Sequence, residues 1–183
     1  MPVDLLPAEP VALICAVTAD AEDTLVQAEE RLASCIGPVR LRSGSYLFDE
    51  YTTYYQEEMG SGLIKRLTCF RERIDPALLP EIKLRTMELE KEMARRRGGR
   101  FLRRANIDPG LVSIESLVLA TTKCRGHRIC IGTGLYAEVT LLYQKGRYSP
   151  LPWTYPDYRS EEVQRFLLEV RGRLMQERRP PQA

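Results

Sequence analysis

Val11–Ala19 (VALICAVTA), which begins with the longest apolar run of the chain, Val11–Val17, is β-branched at several positions. It predicts a central strand covered on both faces. Asp20 then stands where a helix N-cap belongs, with Glu22 and Asp23 in the first turn; Leu25, Ala28, Leu32 and Cys35 or Ile36 fall on one stripe, and Gly37-Pro38 ends the run. Residues 39–49 alternate, break at Gly44 and resume at Tyr46 and Phe48, the pattern of a second strand with a bend at the glycine. The tyrosine-rich, acidic residues 51–60 have no period, and Gly60-Ser61-Gly62 turns into a third strand over residues 63–74.

Asp75-Pro76 opens a second helical region whose start Pro80 resets, with Leu79, Ile82, Thr86, Leu89 and Met93 on one stripe and an end near Gly98-Gly99. Residues 101–107 predict a fourth strand, Asp108-Pro109-Gly110 a turn, and residues 113–121 a short apolar helix. Residues 128–132, 136–144 and 147–151 predict an antiparallel meander with turns at Gly132-Thr133-Gly134 and Lys145-Gly146. After Pro150, Pro152 and Pro156, Ser160 caps a terminal helix that buries Val163, Phe166, Leu167, Val170 and Leu174 and stops at Pro180-Pro181. The predicted fold is α+β: a ferredoxin-like β-α-β-β-α-β unit extended by a C-terminal antiparallel meander and a terminal helix. Without repeats or a long linker, residues 1–183 read as a single domain with loose tails at 1–10 and 179–183.

Composition fits that reading. The 183 residues are 44% hydrophobic and 28% charged, with a net charge of +2, so bulk charge calls for neither nucleic acid nor an anionic membrane. Residues 1–10 lack the basic and apolar regions of a signal peptide, and no apolar run is long enough to span a bilayer. The expectation is a cytoplasmic protein without a membrane partner. The five cysteines are scattered, form no C-x-x-C pair and accompany a single histidine, which predicts buried free thiols and no zinc site.

G-x-x-x-x-G-K-[ST], G-x-S-x-G, H-E-x-x-H and EF-hand patterns are all missing, which sets aside a conventional GTPase or serine hydrolase. The densest polar constellation is Thr121-Thr122-Lys123-Cys124-Arg125-Gly126-His127-Arg128. Its hydroxyls and cations suit a phosphate or carboxylate: Lys123, Arg128 and Thr122 as ligand contacts, His127 as a proton exchanger near neutral pH. A solvated basic loop with a structural histidine is the plainer alternative. Tyr136, Glu138 and Thr140 share a strand face. Glu138 there is either a structural ion-pair partner of Lys123 or Arg128 or a site carboxylate, with Tyr136 beside it as a ligand contact. Asp108 is the further candidate acid, although a turn cap would explain it equally. Asp49, Asp108 and Glu138 together would suit a hard cation, so Mg²⁺ is a candidate cofactor. Trp153-Thr154-Tyr155-Pro156-Asp157-Tyr158 either anchors the last helix or stacks on a base. Arg95-Arg96-Arg97-Gly98-Gly99-Arg100, with Arg103-Arg104, either follows a nucleic-acid backbone or complements a helix C-terminus.

Asp49 with Tyr54-Tyr55-x-x-Glu58-Met59-Gly60, Pro80-Glu81-Ile82-Lys83-Leu84, Asn106-x-Asp108-Pro109-Gly110, Thr122-Lys123 with His127-Arg128, Tyr136-Ala137-Glu138-Val139-Thr140 and Pro152-Trp153-Thr154-Tyr155-Pro156-Asp157-Tyr158 occur in that order. Together they resemble the uncharacterised bacterial family catalogued as domain of unknown function four-four-one-six. The resemblance implies no agreed activity, and a GTP-binding role attributed to some relatives finds no P-loop here. It does single out the polar positions already chosen on chemical grounds. The leading expectation is a small-molecule site for a phosphorylated or carboxylated ligand, a nucleotide among the options, in which His127, Glu138 and Asp108 would carry any catalysis. The second is a non-catalytic module for RNA or a protein partner, using the arginine run and the aromatic turn.

Overall fold

The computed structural model describes residues 6–178. In chain order the elements are β1 (Val11–Ala19), α1 (Glu22–Cys35), β2 (Val39–Arg42), β3 (Tyr46–Leu47), α2 (Gln56–Met59), β4 (Ile64–Ile74), α3 (Leu79–Met93), β5 (Arg95–Arg97), β6 (Arg100–Leu102), β7 (Ala105–Val112), β8 (Ser116–Thr121), β9 (Ile129–Gly132), β10 (Leu135–Gln144), β11 (Arg147–Pro150) and α4 (Glu161–Glu177). Nine strands form one antiparallel sheet, in the order β11-β10-β8-β7-β1-β4-β2, with β3 on β4 and β9 on β10. The described residues are thus mixed α+β, with a large antiparallel sheet and four helices.

β1 explains the layering. Its side chains alternate between faces: Ala12, Ile14 and Ala16 join Leu67, Leu117 and Leu141 under Val163, Phe166, Leu167 and Val170 of α4. Leu13, Cys15, Val17 and Ala19 face the other way, against Leu25, Ala28 and Leu32 of α1 and Leu79 and Ile82 of α3. A strand with helices on both faces has no polar side to show, hence its continuous apolar sequence. Ser160 caps α4 as expected, its side chain accepting from the Val163 N–H. Asp20 does not cap α1. The N-cap is Ala21, while the Asp20 carboxylate accepts from the Thr24 hydroxyl and pairs with Arg104 at 3.1 Å.

Three predicted elements are corrected. The helix expected over residues 113–121 is strand β8, a short run in the middle of the sheet that buries Leu117, Leu119 and Ala120. The turn expected at Asp108-Pro109-Gly110 is part of β7, which runs straight through these turn-forming residues. The arginine run does not end a helix: α3 stops at Met93, and residues 95–102 form the separate β5–β6 hairpin. Free thiols are present at all five cysteines, but only Cys15 and Cys69 are buried; Cys35, Cys124 and Cys130 are exposed. Of the tails expected to be loose, residues 1–5 and 179–183 lie outside the described residues, while Glu9 is tied to Arg178 by an ion pair.

The course of β7 has a structural consequence. It pairs with β1 along its whole length, from Ala105 opposite Ala19 to Val112 opposite Ala12. With β8 it pairs only from Gly110 to Val112. The N–H and C=O of one residue in an antiparallel strand point to the same edge, and residues i and i+2 share that edge. Leu111, Pro109 and Ile107 therefore present their backbone groups to the β8 side. Pro109 has no N–H to give, so the ladder stops there and β8 diverges. Up to that point the two strands run very close: a Cβ on Gly110 would lie 2.6 Å from Leu119 Cδ2 and 2.9 Å from the Val118 carbonyl oxygen. Past it, the sheet is split.

Candidate functional site

A cavity of ≈ 520 Å³ occupies this split. Asn106 and Asp108 of β7 line it from one strand, Leu119 and Thr121 of β8 from the other, with Glu138 of β10 beyond. Thr18 of β1 and Lys65 of β4 extend the wall across the sheet, α3 contributes Lys83, Met87 and Glu90, and the segments around Tyr55, Lys123 and Asp157 close it.

Side chains of α3 replace the strand that Pro109 excludes. Lys83 Nζ donates to the Ile107 carbonyl at 2.9 Å and to Asp108 Oδ1 at 3.1 Å. Glu90 Oε1 accepts from the Ile107 N–H at 2.7 Å. Buried backbone groups need partners, and these two side chains supply them. Asn106 Nδ2 donates to Asp108 Oδ2 at 2.7 Å. Burial would raise the Asp108 pKa, but the charges of Lys83 and Lys65 and the hydrogen bonds from Lys83 and Asn106 outweigh it and hold the carboxyl below the usual range. Glu90 goes the other way: burial lifts it, and Lys83, the Ile107 N–H and Arg103 only partly counter that.

The remaining interior cations are matched as well. Lys65 Nζ lies 2.6 Å from Asp157 Oδ2 and sits over the rings of Phe48 and Tyr158, 4.8 and 4.6 Å from their centroids. Arg103 binds Glu58 through two hydrogen bonds of 2.8 and 2.6 Å, reaches Asn106 Oδ1 at 2.8 Å and lies 3.4 Å from Glu90. Arg128 gives Nε to Glu138 at 2.6 Å, Nη1 to the Lys123 carbonyl at 2.8 Å and Nη2 to the Tyr155 hydroxyl at 2.7 Å. Glu138, whose side chain is 1% exposed, also meets His127 Nε2 at 3.3 Å and accepts from the Thr140 hydroxyl. β10 is bulged at Thr140, between Val139 opposite Val118 and Leu141 opposite Leu117. The carbonyls there accept from Trp153 Nε1 (2.8 Å, at Val139) and from the Thr154 hydroxyl (at Thr140), and Trp153 stacks on His127 with centroids 4.8 Å apart. The aromatic turn therefore anchors the chain to the bulge.

The rim differs from the interior. Lys123 and Arg125 line the cavity and are exposed, and among the described residues neither has a carboxylate within 4 Å. Lys123 Nζ lies 3.8 Å above the Tyr54 ring, and its hydrogen-bonding proximity and charge lower the phenol pKa.

Of the residues singled out from sequence, Asp108, Thr122, Lys123, Arg128 and Glu138 line one cavity. His127 and Tyr136 are not part of its wall; His127 meets Glu138 while stacked on Trp153, and Tyr136 lies opposite Thr121 in the sheet. Asp49 accepts from the Gly62 N–H and is not in the cavity wall either. The hard-cation set of Asp49, Asp108 and Glu138 does not assemble: among the described residues no three His, Cys, Asp or Glu side chains are grouped to hold a metal ion. Sequence reading assigned none of Lys65, Lys83, Glu90, Arg103 and Asp157 to this site, although Lys83 and Asp157 stand in the family motifs and Arg103 in the arginine run. A signal existed for two of them, because Lys83 and Glu90 fall on the buried α3 stripe that runs through Leu79, Thr86 and Met93.

These features define a mixed α+β protein with a polar cavity in a split antiparallel sheet, and no helix among the described residues is long and apolar enough to cross a membrane. The chain belongs to the family described as a domain of unknown function, DUF4416, whose profile matches residues 9–173. No curated protein and no solved structure matches it.

Proposed function

We propose that this protein binds a small phosphorylated or carboxylated molecule in the cavity between β7 and β8, with the anionic group held at the rim by Lys123 and Arg125 and by the Thr122 hydroxyl. The supporting observation is a charge asymmetry. Inside, Lys65, Lys83, Arg103 and Arg128 each have a carboxylate partner, whereas the two rim cations have none within 4 Å among the described residues. An anion gains most where positive charge is uncompensated and its desolvation cost is lowest. The cavity volume falls within the usual range for ligand sites. Arg128 acts as a wall residue clamped by Glu138, and proton exchange by His127 would pass through Glu138.

The strand order β7-β1-β4-β2, with α1 and α3 on one face, supports a ferredoxin-like core to which β8–β11 and α4 are added in one domain. Five free thiols favour a reducing, cytoplasmic setting.

Differential scanning fluorimetry against a panel of phosphorylated and carboxylated metabolites, nucleotides included, tests the reading. Saturation at about 100 times Kd adds about 2.7 kcal/mol, or roughly 5–10 °C in melting temperature. At least one compound is expected to give such a shift, and the Lys123→Ala/Arg125→Ala double variant, altered only at exposed side chains, is expected to lose it. A panel without a stabilising compound, or a shift that survives in the double variant, overturns the proposal.

A further inference from the structure

The chain between Met93 and Asp108 carries six arginines and no acidic residue. These arginines lie past the end of α3 and not in its last turn, so helix C-terminal complementation does not account for the run. Residues 95–102 form a two-stranded hairpin apart from the main sheet, closed by Gly98 and Gly99 at φ +57° and +76°, a left-handed pair that glycine adopts at little cost. At its root, Arg103 and Arg104 are committed to Glu58 and Asp20, and Arg95 reaches Asp20 at 3.3 Å while its side chain stays 64% exposed. Arg96 and Arg100 have no carboxylate within 4 Å among the described residues. Phe101 lies opposite Arg96, whose guanidinium is 4.7 Å from the ring centroid, yet Phe101 remains 59% exposed.

We infer that the β5–β6 hairpin is a contact surface for single-stranded nucleic acid, with Phe101 stacking on a base and Arg95, Arg96 and Arg100 engaging backbone phosphates. An exposed ring beside the unneutralised guanidinium groups of Arg96 and Arg100, with the exposed Arg95 next to them, is the combination that single strands bind, since every base has a π-face and every linkage a charge. A membrane fits less well, because the hairpin tip is two glycines flanked by arginines rather than apolar residues. None of residues 95–102 lines the cavity that holds Lys123 and Arg125, so either proposal can fail without the other.

Fluorescence anisotropy with the full chain and labelled oligouridylate or oligothymidylate of roughly 12 nucleotides is the test. Three phosphate contacts on a single strand give a log–log salt slope near −2, or about 20-fold weaker binding from about 50 to about 200 mM salt. Phe101→Ala is expected to weaken binding by about five- to a hundredfold. Phe101→Trp is expected to retain it. Arg96→Ala/Arg100→Ala is expected to flatten the slope by about 1.4. The Lys123→Ala/Arg125→Ala variant is expected to bind as the unaltered protein does. Preference for uridylate or thymidylate assigns RNA or DNA within the same proposal. Overturning results are no binding at low salt, binding indifferent to the hairpin substitutions, loss of binding in the rim variant, or capture by anionic phospholipid vesicles but not by either oligonucleotide.

Discussion

Replacing Lys83 by methionine keeps much of the side-chain volume and removes the ammonium that joins α3 to β7. In the folded protein that ammonium is 3.1 Å from Asp108 Oδ1 and 2.9 Å from the Ile107 carbonyl oxygen, on a side chain 6% exposed. At an effective dielectric constant of about 20, the charge pair alone has a gross attraction of about 5 kcal/mol. Desolvation of both ions offsets part of it, and the Asp108 side chain, 31% exposed, is further screened from the cavity side. The variant also strands a backbone carbonyl and a carboxylate. The net loss is expected at about 2–4 kcal/mol, or roughly 5–15 °C in melting temperature for a chain of this size.

Acid titration of the same variant adds a second test. The Asp108 pKa is lowered on folding, so the unfolded state binds more protons in acid. The stability Asp108 contributes is present above its unfolded pKa of about 4 and is lost as pH falls through its lower folded value. The gap between Lys83→Met and the unaltered protein should therefore be widest near neutral pH and narrow below about pH 4, down to the part owed to the Ile107 carbonyl. Adding Asp108→Asn should restore part of the loss, because the carboxylate left without its cation is then gone. Chemical denaturation showing a loss under about 1 kcal/mol, a gap that does not shrink in acid, or strict additivity in the double variant would refute the reasoning.

Glu90→Gln keeps an acceptor for the Ile107 N–H and should change stability by under about 1 kcal/mol, whereas Glu90→Leu orphans that N–H and should cost about 1–3 kcal/mol by urea denaturation. Because burial raises the Glu90 pKa, its favourable contribution belongs to acid and is lost as pH rises through the folded value; Gln should gain relative to Glu from about pH 4 to neutral, and the opposite trend would contradict the burial argument. Gly110→Ala forces β7 and β8 apart against the Val118 carbonyl and Leu119 and should cost about 1–3 kcal/mol in a thermal melt.

The elements legible in the sequence were those whose environment is uniform along their length. α1 and α4 have one buried stripe each, and β1 is buried on both faces, so 3.6-residue periodicity and continuous apolarity identified them. β8 was misread because a short apolar run with adjacent Leu119 and Ala120 both buried has no clean period to distinguish strand from helix. Asp108-Pro109-Gly110 was misread because local turn preference is weak against pairing to a central strand. Within the site, local density exposed the segment around Lys123 and Arg128. Lys65 and Asp157, 92 residues apart in the chain, become partners only when β4 and the segment before α4 meet. Sequence proximity carried no trace of that pair.

Four interior ion pairs around one cavity are a poor way to maximise stability, since well-packed apolar residues of similar volume often serve as well or better. Their arrangement follows from β7. Pro109 ends the ladder to β8, the split exposes the Ile107 backbone groups, and Lys83 and Glu90 satisfy them from α3. Once those charges are buried they need partners in turn: Asp108 answers Lys83, and Arg103 stands beside Glu90. Such mutual satisfaction leaves the interior locally neutral and rich in fixed donors and acceptors, while the rim keeps its two uncompensated cations. A ligand with a polar uncharged body and one anionic end would match that gradient in a single orientation, its anion outward. The reverse orientation would desolvate the anion where Lys65 and Lys83 are already matched by Asp157 and Asp108, with no uncompensated positive charge to offset that cost.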